Sequence, residues 1–302
     1  MKIMKRIALL TVFVLIMMCM VITTAEEINQ PSVFSDELSE HFLAPGEAPV
    51  VEEMSYTSEN LAISIAFMRE NRSDIYVADI WVRDLSLLRR GFGGGRWKTK
   101  MNKIPTIAGQ ENAILALTGD NGHRLKGIVF ANGKLLRKKP LGTRDVCIIY
   151  NDGTMEVVAG KQITADKLNE ITGSVWQSFL FGPGLLDKDG QALTKFSSKV
   201  APANPRAAIG YYEPGHYCFV QVDGRGTKSR ESGKNTGMKL KELAAFMEKL
   251  GCKAAYNLDG GQSALMWFNG RVISTPYHGG RTVGDIVYLK DSITDIKNPE
   301  GE

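Results

Sequence analysis

Three aspartates stand at the ends of strand-like runs, next to glycines that allow a ligand to approach. Asp259 lies in the stretch NLDGGQS, Asp223 in VDGR and Asp120 in TGDNG. A carboxylate placed in this way can act as a nucleophile or as a general base on water. We therefore take these three residues as the candidate catalytic carboxylates, with Asp259 first, Asp223 second and Asp120 third.

The stretch NLDGGQS is the most informative of the three. Asn257 and Asp259 are two residues apart, so their side chains share one face of a strand. Gly260 and Gly261 permit positive φ and a close approach to the backbone. Their N–H groups, together with the Ser263 hydroxyl, could hold an anionic oxygen. Asp-Gly-Gly is also typical of an ordinary hairpin turn, and that alternative stays open.

Three arginines lie in similar positions. Arg206 opens a strand after a proline, Arg225 follows Asp223 by two residues, and Arg281 shortly precedes the last strand. A guanidinium group binds phosphate oxygens through paired hydrogen bonds. The combination predicts a site for a phosphorylated or otherwise anionic sugar. The bland alternative is that Asp223–Arg225 and Arg281–Asp285 are surface ion pairs.

Composition narrows the classes of function. The chain has 302 residues, of which 43% are hydrophobic and 23% charged, as in an ordinary folded protein. Part of its formal net charge of +4 comes from a basic N-terminus, and the rest is close to neutral. We therefore expect no nucleic-acid partner. The chain contains neither an HExxH nor a CxxC motif, and we expect no metal and no cofactor.

The N-terminus has the order of a targeting segment. A short basic stretch is followed by an apolar run over residues 7–22 and by small residues at 23–25. This pattern predicts a secretory signal over residues 1–25, with an uncleaved membrane anchor through 7–22 as the alternative. Both interpretations place the body outside the cytoplasm, secreted or attached to the outer face of the membrane. Residues 26–60 are acidic and contain prolines, which predicts a linker.

From residue 61 onward the chain is rich in strand signals. Three dipeptides lie between pairs of strand-like runs and predict tight hairpins, namely Asn132-Gly133, Asp152-Gly153 and Asn269-Gly270. Hydrophobic periodicity predicts helices over residues 165–171 and 240–250. We therefore expect one α+β domain over 61–302, with a largely antiparallel or mixed β-sheet and a few helices.

The order of these motifs resembles that of the phosphodiester glycosidase family, which includes the lysosomal uncovering enzyme and bacterial exopolysaccharide-related proteins. The matching stretches are ADI (78–80), AILALTGD (113–120), FGPGLL (181–186), PRAAIG (205–210), VDGR (222–225), TGMKLKELAAFMEKLG (236–251), NLDGGQSALM (257–266) and RTVGDIVYL (281–289). The resemblance implies hydrolysis of a sugar-1-phosphodiester outside the cytoplasm, with a phosphorylated carbohydrate as the partner. The site residues that it implies are Asp120, Arg206, Asp223, Arg225, Asn257, Asp259, Ser263 and Arg281.

The chain departs from the family pattern near Asp120. Members usually have asparagine where this chain has Thr118, and an aromatic pair is replaced in the stretch 121–123. Members also usually have a small residue where Gln262 stands. If the missing amide orients the sugar or the nucleophile, activity would be weak, altered or absent.

The mechanism that we expect is cleavage at the anomeric carbon. The departing phosphate is already a stabilised anion and needs little protonation, so arginines can stabilise the developing charge. Asp259 would be the nucleophile or the base on water. Arg206 and Arg281 would hold the phosphate, while Asn257 and Ser263 would position it or the sugar hydroxyls.

Two alternatives from other classes remain at this stage. The first is a non-catalytic surface module that binds polysaccharide through arginines and aromatic residues. The second is a metal-dependent phosphodiesterase with Asp120, Asp223 and Asp259 as oxygen ligands.

Overall fold

The structure is a computed structural model that describes residues 31–34, 36–120, 127–139, 142 and 144–291. The expected signal or anchor over residues 1–25 and the departure at 121–123 lie outside these residues. Among the described residues, no helix has the length and apolar character required to cross a bilayer.

Most of the regular structure in the described residues is strand, as the β-branched and aromatic runs predict. The strands are β1 (Val50–Val51), β2 (Ser55–Thr57), β3 (Leu61–Glu70), β4 (Ser73–Val82), β5 (Leu88–Phe92), β6 (Asn102–Lys103), β7 (Leu115–Thr118), β8 (Val129–Ala131), β9 (Lys134–Arg137), β10 (Val146–Tyr150), β11 (Met155–Val158), β12 (Val175–Phe179), β13 (Arg206–Glu213), β14 (His216–Val222), β15 (Ala254–Asn257), β16 (Met266–Phe268), β17 (Arg271–Val272), β18 (Thr282–Val283) and β19 (Asp285–Leu289). The α-helices are α1 (Ile104–Glu111), α2 (Ala165–Ile171) and α3 (Leu240–Lys249).

The strands form two main sheets that pack face to face. One has seven strands in the order β1-β2-β3-β4-β14-β13-β15, and the other has five in the order β17-β16-β7-β19-β5. A three-stranded sheet, β11-β10-β12, and two ribbons complete the structure. Alternate residues of the facing strands form the main core, as expected for two sheets packed in layers. All pairings between these strands are antiparallel, in agreement with the predicted α+β class.

Helices cover the outer faces of the sheets. α3 packs on the seven-stranded sheet through an apolar stripe that includes Leu240, Leu243 and Met247. It ends one residue short of the predicted boundary, and α2 has the predicted bounds. α1 was not predicted from the sequence, because its eight residues are too few for a clear period. A proline in its first turn, Pro105, favours helix initiation at that point.

The three predicted hairpins are present, joining β8 to β9, β10 to β11 and β16 to β17. In two of them both turn residues adopt positive φ, at Asn132-Gly133 and Asn269-Gly270. These left-handed conformations are the ones that a two-residue hairpin requires.

The segment predicted as a linker differs from that expectation. Within residues 26–60, β1 and β2 extend the seven-stranded sheet. The N–H of Ser32 donates to Asn151, and that of Phe34 donates to Arg83. The packed structure therefore begins well before residue 61. Strands of two and three residues are too short for alternation to be visible in the sequence.

Sheet register brings distant motifs to one end of the seven-stranded sheet. Arg206 at the start of β13 lies opposite Val222 at the end of β14, and Ala208 lies opposite Asn257 at the end of β15. The VDGR and NLDGG turns follow directly from these two strand ends. Antiparallel pairing on both sides of β13 is therefore what assembles the candidate site.

Candidate active site

A cavity of about 330 Å³ opens at this end of the sheet. Six of the predicted site residues line it, namely Arg206, Arg225, Asp259, Gly260, Gly261 and Arg281. One carboxylate and three guanidinium groups from separate parts of the chain therefore share a single cavity.

Asp259 is held by two partners from the C-terminal part of the chain. The Nη2 atom of Arg281 donates to Oδ2 of Asp259 at 2.9 Å, and its Nε donates to the Ser263 hydroxyl at 2.5 Å. The backbone N–H of Asp259 donates to the Gly119 carbonyl. Asp259 is only 5% exposed, and this burial raises the pKa of its carboxyl above the ordinary value, while Ser263 and Arg281 act in the opposite direction. Such a carboxylate can serve as a base or a nucleophile.

Arg225 presents its guanidinium group to the cavity. Its Nε donates to the side-chain carbonyl of Asn204 at 3.0 Å, and its charge lies 5.3 Å from the centre of the Tyr277 ring. Gly261 has φ of 62°, and a Cβ at this position would come within 3.0 Å of the guanidinium. The absence of a side chain at residue 261 therefore lets Arg225 reach the cavity wall.

The two ion pairs considered as the bland alternative are not formed. Arg225 binds Asn204 rather than Asp223. Arg281 pairs with Asp259, whereas Asp285 pairs with a buried arginine elsewhere. The guanidinium groups of Arg225 and Arg281 therefore do not form ion pairs with the acidic residues nearest to them in sequence.

Arg206 lies at the cavity but binds its own chain. Its Nε donates to the Met238 carbonyl at 2.8 Å, and its Nη2 donates to the carbonyls of Val200 and Pro202 at 2.7 and 2.6 Å. Arg206 is 2% exposed, and burial lowers the pKa of its guanidinium to about 10. Arg206 therefore stabilises the loop at the cavity wall. This corrects the expectation that Arg206 binds the phosphate.

The two glycines of NLDGG have a different role from the predicted one. The Gly261 N–H, expected to be free for an anion, donates to the Pro205 carbonyl at 2.9 Å. A Cβ at Gly260 would lie 2.7 Å from the same oxygen. The glycines are required because two stretches of backbone cross closely here. Ser263 is buried, and its hydroxyl accepts from Arg281 instead of facing the cavity.

Asn257 also lies outside the cavity lining. It is fully buried, and its Nδ2 donates to the Gly182 carbonyl at 2.8 Å. Its backbone N–H donates to Pro183. Within the described residues its Oδ1 has no hydrogen-bond partner. Asn257 therefore positions the segment that follows Phe181, a cavity residue, whereas the sequence predicted that it would face the sugar.

Asp120, the third-ranked carboxylate, is buried behind the cavity wall. Its Oδ1 accepts from the backbone N–H groups of Leu180 and Phe181 at 2.5 Å each. Its Oδ2 lies 3.1 Å from Nη2 of Arg90, which also pairs with Asp285. Burial raises the pKa of Asp120 to about 7. The carboxylate supports the wall of the cavity and is closed off from it.

Asp223, the second-ranked carboxylate, does not line the cavity either. It is 1% exposed, and its Oδ2 accepts from the Thr275 N–H at 2.8 Å. Burial raises the pKa of Asp223 to about 6. Asp259 is thus the one predicted carboxylate that the structure places at the cavity.

The cavity also contains residues that the sequence did not single out, namely Phe181, Lys199, Val200 and Asn204. It contains Gln262 too, which stands where the family usually has a small residue. Phe181 belongs to the FGPGLL motif, but nothing in that motif alone predicts a role for its aromatic ring. Lys199, Val200 and Asn204 lie in a stretch without regular structure, where no periodic pattern marks a functional residue.

Thr118, where the family usually has asparagine, is fully buried and is not part of the cavity lining. Its hydroxyl has no hydrogen-bond partner among the described residues. The missing amide is therefore a change in the interior of the wall.

Comparison with known proteins identifies the family of this chain. The family model for phosphodiester glycosidase matches residues 110–290, which includes NLDGG and the stretch from Arg206 to Arg281. The chain belongs to the phosphodiester glycosidase family.

A similar protein comes from a bacterium. The SPbeta prophage-derived uncharacterized protein YomE of Bacillus subtilis (strain 168) is 32% identical over 159 residues, which are 51% of this chain and 23% of that protein. The chain thus spans less than a quarter of the length of this curated relative.

Two solved structures share the fold. The catalytic domain of zebrafish N-acetylglucosamine-1-phosphodiester alpha-N-acetylglucosaminidase, auto-inhibited by its pro-peptide, has a TM-score of 0.59 at 18% identity and covers 87% of this chain and 95% of that one. A hypothetical protein from Synechocystis has a TM-score of 0.57 at 15% identity, over 77% of this chain and 62% of that one.

The role given to Arg206 can be tested by its removal. Arg206→Met leaves the Met238, Val200 and Pro202 carbonyls without their donor, so we expect the free energy of unfolding to fall by about 3 kcal/mol. Urea denaturation measures this change. The matched control is Arg225→Met, whose exposed guanidinium makes fewer bonds, and we expect its effect to stay within about 1 kcal/mol. Equal effects of the two variants would contradict the structural role of Arg206.

The buried Asp223 carboxyl makes folding stability depend on pH. Its pKa of about 6 in the folded state exceeds the ordinary value of 3.8, so the folded chain binds the proton more tightly. The stabilisation is present in full below about pH 4 and is lost as the pH rises through about 6. Compared with Asp223→Asn, the wild-type protein should lose about 2 kcal/mol of unfolding free energy between pH 4 and 7. A difference between the two proteins that does not vary with pH would refute the shift.

Proposed function

We propose that this chain is an extracytoplasmic hydrolase that cleaves a sugar-1-phosphodiester at the anomeric carbon. The observation that carries the proposal is the convergence of Asp259 with Arg206, Arg225 and Arg281 on one cavity. Cationic side chains outnumber carboxylates in the lining of this cavity. A cavity with a net positive charge concentrates anionic ligands. Membership of the phosphodiester glycosidase family supports the same class of reaction.

In the proposed reaction the bond between C1 of the sugar and the phosphate oxygen breaks. The electron pair leaves with that oxygen, and the aglycone departs as its phosphate monoester. Asp259 supplies the new bond at C1, either by direct attack followed by hydrolysis of the glycosyl ester or by removing a proton from the attacking water. Arg225 and Arg281 stabilise the charge on the departing phosphate.

The wall residues support this arrangement. Arg206 holds the carbonyls of Val200 and Pro202, and Asp120 holds the N–H groups of Leu180 and Phe181. A cavity whose walls are fixed in this way keeps a reacting carbon in line with the carboxylate. Substrate binding then costs little conformational entropy, because the residues of the site are already ordered.

The setting outside the cytoplasm rests on the targeting pattern in residues 1–25. A substrate in cell-surface or exopolysaccharide metabolism fits that setting. The glycosyl phosphates of surface polymers carry the anionic diester that the cavity suits.

The metal-dependent alternative has less support. Asp120 and Asp223 do not reach the cavity of Asp259, and both are bound by other partners. Across the described residues no three or more His, Cys, Asp or Glu side chains are grouped so as to hold an ion. A pure binding module has no need of a buried carboxylate beside its arginines, so the hydrolase is the better supported class.

The catalytic role of Asp259 is tested by Asp259→Asn. We expect kcat to fall at least about a thousandfold on glycosyl phosphodiesters of glycerol, because the neutral amide is neither nucleophile nor base. The panel should include N-acetylglucosamine, glucose and galactose, and released sugar is measured. Asp223→Asn, the same exchange outside the cavity, is the matched control and should retain most of its activity. Wild-type rates for Asp259→Asn would refute the assignment.

The site of bond cleavage is tested by hydrolysis in ¹⁸O-labelled water. Attack at C1 places the label in the released sugar, whereas attack at phosphorus places it in the phosphate. We expect the label in the sugar by mass spectrometry, because the departing phosphate faces the arginines. Label in the phosphate would contradict cleavage at the anomeric carbon, even if Asp259 proved essential.

A further inference from the structure

A second, larger cavity of about 570 Å³ adjoins the first. The two share Phe181, Lys199 and Val200 in their walls. Lys199 therefore stands at the junction, between the cavity that contains Asp259 and the neighbouring space. A ligand longer than one sugar phosphate can extend from one cavity into the other across this shared wall.

The larger cavity has an excess of positive charge. Arg144, Lys195 and Lys199 line it, and the one carboxylate in the lining is Asp145. Asp145 is engaged by the Gly184 N–H, which donates to its Oδ2 at 3.1 Å. In the part of the chain that the structure describes, none of the three cations forms an ion pair with a carboxylate.

The rest of the lining is partly apolar. Leu193, Phe196 and Phe181 contribute hydrocarbon surface, and Ser197 and Ser198 contribute hydroxyl groups. Arg144 is fixed towards the cavity by a bond from its Nη1 to the Phe181 carbonyl at 3.0 Å. This combination suits a flexible polyol chain with a charged group better than a flat or purely apolar ligand.

We propose that the larger cavity is the aglycone subsite and that it selects aglycones carrying a second anionic group. This inference rests on the proposed function. The sugar must lie in the smaller cavity, because Asp259 has to reach its C1 atom. The other arm of the diester then runs past Lys199, and a further phosphate or carboxylate lies between Lys195 and Arg144. The next phosphodiester of a repeating anionic glycan is one such group.

Three matched probes test the preference. Each is the same glycosyl phosphate esterified to glycerol, to glycerol phosphate or to glyceric acid, so they differ only in the distal group. We expect KM for the glycerol phosphate ester to be about tenfold lower than for the glycerol ester, with kcat nearly unchanged. The glyceric acid ester separates a general preference for anions from one specific to phosphate. The preference should shrink about threefold or more between 50 and 500 mM salt.

Lys195→Ala identifies the residue responsible. We expect it to raise KM about fivefold for the glycerol phosphate ester and less than twofold for the glycerol ester. Lys188→Ala is the matched control, because Lys188 is exposed, lies outside both cavities and pairs with Asp189. It should leave both KM values unchanged. An equal KM for the glycerol and glycerol phosphate esters, or an equal effect of Lys195→Ala on both, would overturn the subsite.

A binding measurement separates this inference from the proposed hydrolase. Asp259→Asn can be titrated calorimetrically with the same three esters, whether or not they are cleaved. Tighter binding of the phosphorylated ester without turnover by the wild-type protein would refute the hydrolase and support the subsite. Turnover of all three esters with equal affinity would support the hydrolase and refute the subsite.

Discussion

The structure around the cavity depends on one ion pair, between the buried Asp259 and the partly exposed Arg281. The carboxylate is taken out of water just after β15, and this burial raises its pKa. Arg281 and the Ser263 hydroxyl oppose that tendency and fix its orientation. Because Arg281 binds both Asp259 and Ser263, it ties the stretch 257–263 to the chain that leads into the last strand.

Around this pair the fold supplies a set of supports, each from a different part of the chain. Arg206 fixes the 200–204 loop, Asp120 fixes the backbone of Phe181, and Asn257 fixes the carbonyl of Gly182. These residues lie on β13, after β7 and at the end of β15, so both main sheets contribute to the walls. The result is a cavity whose walls are held by hydrogen bonds from buried side chains and whose lining includes Arg225 and Arg281.

Much of this arrangement could be predicted from the sequence. The sequence could not predict which of the residues face the cavity and which support its walls. Glycine-flanked acids and arginines at strand ends predicted the convergence of Asp259, Arg225 and Arg281, because antiparallel strands place their ends side by side. The same pattern could not distinguish Arg206 and Asp120, which bind backbone groups, from the residues whose side chains face the cavity. Whether a polar side chain faces solvent or a carbonyl depends on loops distant in sequence, here 200–204 and 180–181. The strands β1 and β2 and the helix α1 were missed for another reason, because they are too short to show a periodic pattern.

The central claim is that Asp259 acts at the anomeric carbon of an anionic glycoside held by the cavity arginines. A crystal structure of Asp259→Asn with an uncleaved glycosyl phosphodiester tests it most directly. The account predicts the sugar in the smaller cavity, with its C1 about 3.5 Å from the side chain of residue 259 and the phosphate in contact with Arg225 and Arg281. A phosphorus atom nearest to residue 259, or a sugar bound away from this cavity, would contradict it.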